Sequence, residues 1–278
     1  MRFAIDLPIP PVPGGTAEMI VDWAVMAEDA GWDSICLWNH LLMSYPQPSE
    51  SLDPWVLYSA IAAKTKRIRL GPAYAPLPRL RPWKLARALA TLDQLSRGRV
   101  IMGAVLGTSE DHEVFGEEGS ARIRAEKLEE GLRILVGLWS GKPFSFEGRH
   151  HTLKEVTFMP TPVQKPRIPI WVGGMFPGKA PFKRAAEWDG VMPARMWPDE
   201  LSPADLCAIL EMIELCRGDL KDFEVIVGGG TSGNPREDEE TLRLWIEAGA
   251  TWWSEGLNAW RGKRAELEER IQLGPPET

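Results

Sequence analysis

The segment Ile68–Gly107, IRLGPAYAPLPRLRPWKLARALATLDQLSRGRVIMGAVLG, decides the fold. IRLGPAY is a short apolar run closed by glycine and proline signals. RPWKLARALATLDQLS carries Leu85, Ala86, Leu89, Leu92 and Leu95 at helical spacing, and RVIMGAVLG is a second apolar run. Strand, loop, helix, tight turn and strand make a βαβ unit, in which one helix joins two buried parallel strands. In folds built from such units, the loops that follow the strands carry the chemistry.

Working outward, the alternation continues in both directions. RFAIDL (2–7) precedes the helix TAEMIVDWAVMAEDAG (16–31), with Met19, Ile20, Trp23, Ala27 and Ala30 on one face and Gly31 as its stop. DSICLWN (33–39) precedes a helix that starts at Asp53-Pro54, a capping carboxylate followed by a proline suited to the first helical position. ARIRAEKLEEGLRILVGLW (121–139) is the longest amphipathic helix. PRIPIWVGG (166–174), a helix near Gly178–Trp188, and DGVMPAR (189–195) follow. LSPADLCAILEMIELCRG (201–218) leads to FEVIVGGG (223–230). Then EDEETLRLWIEAG (237–249) leads to ATWWSEGL (250–257) and a last charged helix to about Arg270. Eight strand-then-helix units predict an α/β protein, a single (β/α)8 TIM-type barrel over residues 1–278. The alternative, an open doubly wound sheet, usually stops at about five or six strands. GKPFSFEGRHHTLKEVTFMPTPVQKP (141–166) breaks the alternation and reads as an excursion of extended chain or a hairpin before the fifth strand.

Composition narrows the function classes. The net charge of −7 and the lack of any Lys/Arg cluster leave a nucleic-acid partner without an electrostatic basis. No apolar run approaches the roughly 20 residues of a membrane span, and MRFAIDLPIP reads as a strand, not a signal peptide. The three cysteines, Cys36, Cys207 and Cys216, are widely spaced and read as reduced, small core residues of a cytoplasmic protein.

In a barrel the chemistry gathers at the C-terminal ends of the strands. The second strand ends in Trp38-Asn39-His40. A histidine just past a buried strand faces the mouth, where it either donates a proton or packs on Trp38. The third ends in Gly71-Pro72-Ala73-Tyr74, which suggests a bulge. The fourth ends in Gly107-Thr108-Ser109, followed by Glu110, Asp111 and Glu113, and Arg122 and Arg124 open the next helix as phosphate partners or as surface ion-pair formers. Gly173, Gly178 and Lys179 fit the spacing of a nucleotide P-loop. Ala180, however, replaces the hydroxyl that such a loop needs, and Pro177 offers no N–H. The segment therefore reads as an anion site and not as an ATPase. Trp171, Trp197, Trp252 and Trp253 are expected near strand ends, as an aromatic lining of the mouth, and Gly228-Gly229-Gly230 as a phosphate loop or a hinge. The histidines are too dispersed for a metal site: none is expected.

TLDQLSRGR with its glycine-ended strand is joined by AEDAGWDSICLWNHL (27–41), FGEEGSARIRAEKLEEGLRILVGLWSG (115–141), PRIPIWVGG, AAEWDGVMP (185–193) and AGATWWSEG (248–256). In this order they closely resemble the bacterial luciferase-like family of flavin- and deazaflavin-dependent oxidoreductases. The resemblance implies a monooxygenase using reduced FMN and oxygen on a small organic substrate, with a separate flavin reductase as a partner and a homo-oligomer as its assembly. The alternatives it leaves open are a deazaflavin (F420)-dependent dehydrogenase or reductase and a non-catalytic flavin-binding barrel. It places His40 beside the cofactor ring as a catalytic residue, with Asn39 as its catalytic neighbour, a neutral one where family members often have an acid. It puts a non-prolyl cis peptide and bulge at Ala73–Tyr74 behind the ring, contacts at Gly107 and Thr108, and the cofactor's phosphate or ribityl chain against Gly173, Gly174, Met175 and Lys179.

Overall fold

The computed structural model describes residues 1–43 and 50–277. The central βαβ unit is β3 (Arg69–Pro76), α3 (Pro82–Ser96) and β4 (Val100–Val105). Leu85, Ala86, Leu89 and Leu92 are buried along one stripe of α3. Leu95 falls off that stripe and is about half exposed, contrary to its expected place on the apolar face. The TLDQLSRGR wording proves to be scaffold. Asp93 accepts the backbone N–H groups of Val163 (2.8 Å) and Gln164 (3.0 Å), fixing the chain that enters the next barrel strand. Arg97 and Gly98 take left-handed φ angles of 58° and 83°, which turn the chain out of the helix. Buried Arg99 donates to carbonyls of Ala62, Thr65, Ile68 and Ser96. That locks the unit to the preceding helix, because a buried guanidinium must have its donors satisfied.

Around this unit lie β1 (Arg2–Leu7), α1 (Ala17–Asp29), β2 (Ser34–Leu37) and α2 (Pro54–Lys64) on the N-terminal side. On the C-terminal side follow α4 (Glu110–Glu113), α5 (Ala121–Trp139), β5 (Pro143–Glu147), β6 (Thr152–Thr157), β7 (Ile170–Phe176), α6 (Ala180–Ala185) and β8 (Gly190–Arg195). The circuit ends with α7 (Pro203–Arg217), β9 (Glu224–Gly229), α8 (Pro235–Glu247), β10 (Trp252–Gly256) and α9 (Arg264–Gln272). Eight parallel strands close in the order β1-β10-β9-β8-β7-β4-β3-β2, a TIM-type barrel, so the open-sheet alternative falls away. The excursion before the fifth barrel strand is the antiparallel hairpin β5–β6. Its Phe144, Phe146 and Leu153 pack against the main core. The Asp53 cap is as expected: its carboxylate accepts from Trp55 and Val56 at the start of α2.

Two packed layers result. Helices and strands bury a continuous outer core, while Ala4, Cys36, Ile101, Trp171, Met192, Ile226 and Trp252 fill the barrel interior. Trp171 is the second residue of β7 and Trp252 the first of β10. They occupy the N-terminal half of the interior and do not line the mouth, and Trp253 turns outward toward Trp245. Of the expected aromatic lining, Trp197 alone stands exposed beyond a strand end. Of the three cysteines only Cys36 is core; Cys207 and Cys216 are exposed on α7, against the expectation that all three were core residues. Among the described residues, no helix is long and apolar enough to cross a membrane.

Candidate active site

The C-terminal ends of β1, β2, β3 and β4 bring together the strongest constellation of polar side chains at the barrel mouth. His40, just beyond β2, presents Nδ1 at 3.3 Å from Asp111 Oδ2; the imidazole is 31% exposed and the carboxylate 1%. Asp111 comes from the short α4 after β4 and is held on several sides. Arg79 Nη1 donates to it at 2.8 Å, and the backbone N–H groups of Leu41 and Leu42 donate to its other oxygen at 3.0 and 2.9 Å. Arg79 also donates to the Asn39 carbonyl (2.9 Å) and side-chain oxygen (2.7 Å), and Asn39 Nδ2 donates to the Tyr74 carbonyl at 2.8 Å. Asn39 is thus a brace between the loops after β2 and β3. Asn39 leaves His40 a neutral neighbour in sequence, but Asp111 brings a carboxylate to it through space.

The bulge in β3 lies where it was expected: the register to β4 shifts between Leu70 and Ala73. Gly71 has φ +136°, and a Cβ there would lie 2.1 Å from the Ile101 carbonyl oxygen, so only glycine fits. The cis bond, however, is Gly71–Pro72; Ala73–Tyr74 is trans, correcting the non-prolyl cis bond placed there by the resemblance. The next loop is filled from within the chain. Gly107 has φ +75° and lies against Pro76 and His112. The buried Arg124 donates to the carbonyls of Leu106 and Gly107, while Arg122 pairs with Glu126 at 2.7 Å. Arg124 is thus committed to the loop carbonyls, while Arg122 forms a surface ion pair along the helix. Thr108 receives the Asp111 N–H at 3.4 Å.

Gly173 and Gly174 lie inside β7, paired with Met192 and Pro193 of β8, because the strand continues to Phe176. The P-loop-like spacing therefore does not form a glycine loop. Only Pro177, Gly178 and Lys179 connect to the six-residue α6, and Met175 is half exposed. The Gly228–Gly230 run is also committed. The following Thr231 N–H is held by buried Glu255 at 3.0 and 3.1 Å, and Arg261 binds both Glu255 and the Thr231 carbonyl. Arg195 is locked by two bonds to Asp205, 2.8 and 2.7 Å, whose strength holds that carboxyl well below the usual range. Arg81 stacks over Trp83, 5.8 Å from the ring centroid. His150 and His151 pair with Glu126 (2.8 Å) and Glu130 (2.9 Å) beside the hairpin.

Asp6 completes the constellation. Strand alternation places it two residues above Ala4, on the inward face of β1. Burial pushes its carboxyl up to about 7, against the opposing effect of the Trp38 indole N–H that donates to it at 3.0 Å. Burial likewise raises the Cys36 thiol and the Tyr74 phenol, with the Asp6 charge adding to both. On the neighbouring strand, the buried Ser254 hydroxyl has no oxygen or nitrogen partner among the described residues and meets only the Cys36 thiol. At Gly228 a Cβ would meet nothing closer than 3.9 Å. A bulged backing strand, a buried hydroxyl met only by a thiol, a carboxyl that holds its proton up to about pH 7 and open space above Gly228 fit a flat ring with polar edges. Grooves of about 700 Å³ along α1 and about 430 Å³ beside Gly14 and Lys263 border none of these residues; the site rests on converging side chains.

A family model described as luciferase-like monooxygenase matches residues 1–273, and the chain belongs to that family. An F420-dependent glucose-6-phosphate dehydrogenase from Microbacterium testaceum is 32% identical over 162 residues, which make up 57% of this chain and 47% of that protein. The chain thus spans about half the length of the curated relatives it matches. The structure superposes on an F420-dependent secondary alcohol dehydrogenase in complex with an F420-acetone adduct, with TM-score 0.80 at 18% identity, over 98% of this chain and 96% of that one. It also superposes on the oxygenating constituent of 3,6-diketocamphane monooxygenase from Pseudomonas putida in complex with FMN, with TM-score 0.76 at 16% identity over 98% and 97%. At these identities the likeness is one of fold.

Proposed function

We propose that this protein is an F420-dependent dehydrogenase or reductase that exchanges a hydride with a small organic alcohol or carbonyl compound. The observation that carries the reading is the His40–Asp111 pair at the barrel mouth, a partly exposed imidazole against a buried, fully bonded carboxylate. A carboxylate at Nδ1 holds the proton on that nitrogen and leaves Nε2 facing outward as base, or as acid after it takes a proton. When bound, the deazaflavin supplies two-electron transfer without oxygen. His40 takes the hydroxyl proton of an alcohol as its carbon is oxidised, and returns it to the oxygen in the reverse direction. Ala73 and Tyr74 on the bulge would back the ring, Asp6 and Ser254 would meet its polar edge, and Gly107, Thr108, Gly173, Gly174, Met175 and Lys179 would lie along the cofactor's remaining length.

The similarity to the F420-dependent glucose-6-phosphate dehydrogenase supports deazaflavin over the first expectation of reduced FMN, oxygen and a partner reductase. A sugar phosphate is a poorer fit to this mouth. Arg195 and Arg261 are consumed by Asp205 and Glu255, while Met175 near the end of β7 and Met196 and Trp197 beyond β8 are exposed. A neutral, partly apolar substrate suits that rim. The non-catalytic alternative leaves the oriented His40–Asp111 pair without a purpose. The test is to titrate the purified protein with F420 and with FMN by calorimetry, then follow F420 absorbance with a panel of neutral secondary alcohols and with glucose 6-phosphate. Saturable F420 binding with alcohol-dependent reduction is expected. Binding of FMN alone, with oxygen uptake on supply of its reduced form, would overturn the proposal.

A further inference from the structure

At the opposite end of the barrel from His40, the N-terminal ends of the strands enclose a cavity of about 220 Å³. Its wall carries four cations, Arg2, Arg69, Lys165 and Arg167, around the indoles of Trp171 and Trp252. Two of the cations are spoken for: Arg2 pairs with Glu224 at 2.6 Å, and Arg167 with Asp189. Arg69 and Lys165 form no ion pair among the described residues. Lys165 reaches only the Thr161 hydroxyl and the Pro162 carbonyl. Arg69 makes a single long contact, 3.5 Å from Nη2 to Gln164 Oε1, and its Nε is buried with no acceptor. Burial, and then the neighbouring Arg2 cation, pull the Arg69 guanidinium below its ordinary value. Asp222, exposed at the rim, is the one lining carboxylate outside the two pairs.

A second donor in the same wall is orphaned. Of the five most fully buried tryptophans, Trp23, Trp32, Trp252 and Trp253 each donate their indole N–H to an acceptor within the protein. Trp171 finds none among the described residues, although it lines the cavity. The buried Arg69 Nε is left without an acceptor, and buried donors are almost always paired, so it calls for one; Trp171, with its own N–H unpartnered among the described residues, lines the same cavity. Water would satisfy the N–H groups, but Arg69 shares its two nearby carboxylates, Glu224 with Arg2 and Asp93 with Val163 and Gln164, and an anion in the cavity would balance its charge where water would not. We infer that this basal cavity is a binding site for a small oxyanion, a phosphate or a carboxylate, held by Arg69 and the Trp171 indole N–H with Lys165 at its entrance. The site is separate from the mouth and from any cofactor bound there.

The test follows the indole N–H resonances of the ¹⁵N-labelled full chain, with the Trp171 signal identified by its loss in Trp171→Phe. Inorganic phosphate and, separately, acetate are added at constant ionic strength against a chloride control. A saturable shift of the Trp171 signal with either oxyanion, absent with chloride and lost in Arg69→Gln, is the expected result. Phosphate responding alone identifies a phosphate site, and acetate responding alone a carboxylate site. A Trp171 signal that answers both oxyanions no more than chloride, or that shifts equally in a folded Arg69→Gln variant, overturns the inference. The wild-type comparison with chloride decides even if Arg69→Gln fails to fold.

Discussion

His40 Nδ1 lies 3.3 Å from Asp111 Oδ2, joining the loop after β2 to the loop after β4 across the barrel mouth. Because Asp111 also receives Arg79 and two backbone N–H groups, its position does not depend on His40. The imidazole is oriented by a carboxylate that is itself already fixed. That is the arrangement a proton-handling histidine needs: the partner sets the tautomer, and the outward nitrogen stays available.

Removing the carboxylate should therefore separate two effects. Asp111→Ala leaves the Arg79 guanidinium, only 5% exposed, without its counter-charge, at a cost of about 3–5 kcal/mol in urea unfolding. Asp111→Asn keeps the shape and two acceptor sites for the Leu41 and Leu42 N–H groups. It should lose less stability and slow turnover by roughly 10–100-fold with KM little changed. Equal stability losses in the two variants would show that the charge, lost in both, and not the side-chain shape holds the loop.

His40→Ala makes the complementary cut. The side chain is partly exposed, so the fold should survive, and cofactor affinity measured by calorimetry should change little. The turnover rate should drop by ~10²–10⁴, the usual contribution of a positioned acid or base. Turnover at the wild-type level on a confirmed substrate would return His40 to a packing role against Trp38, whose ring it meets edge-on at 6.0 Å.

Much of this was legible in the chain, and the reasons are local. Strand and helix periods are short-range signals, so the eight-fold alternation and the excursion stood out. The place of His40 at the barrel mouth is legible because it follows an apolar strand closely. Asp111 was visible as an acid in a loop, but its pairing with His40 is a through-space fact that spacing does not encode. Asp6 left a signal that went unread: a lone carboxylate at an inward position of RFAIDL, an otherwise apolar strand apart from its first arginine. The glycines at 173 and 174 misled, because P-loop spacing ignores the possibility that the strand runs on to Phe176. The tryptophans misled for a related reason: at positions 171 and 252 they begin strands, and so fill the base of the barrel.

The β3 bulge gives a sharp steric prediction. A methyl group at position 71 would meet the Ile101 carbonyl oxygen at 2.1 Å and the Ala73 nitrogen at 2.5 Å, on a backbone with φ +136°. Gly71→Ala should cost about 3 kcal/mol or more, since strained φ and overpacking add. It should also displace Tyr74, and so weaken cofactor binding in whatever fraction folds. An unchanged melting temperature would mean that the bulge relaxes freely and does not define the ring's backing.

Asp6 ties stability to pH. Its folded-state value of about 7 lies above the ordinary 3.8, so the folded protein holds one proton more than the unfolded chain between those limits. The stabilisation from keeping the carboxyl neutral is complete below about pH 4 and is lost as pH rises through about 7. Asp6→Asn cannot ionise and should escape that loss while still accepting the Trp38 indole N–H. The stability of the wild type relative to Asp6→Asn should therefore decline between pH 4 and pH 7, by on the order of 2–4 kcal/mol. The lower end is expected, because the carboxyl is partly open to the mouth. Urea unfolding of both proteins at matched pH values measures the difference directly, with the other titrating groups common to both. Parallel stability profiles for the two proteins would show that Asp6 ionises freely in the fold and would remove it as a neutral acid at the floor of the site.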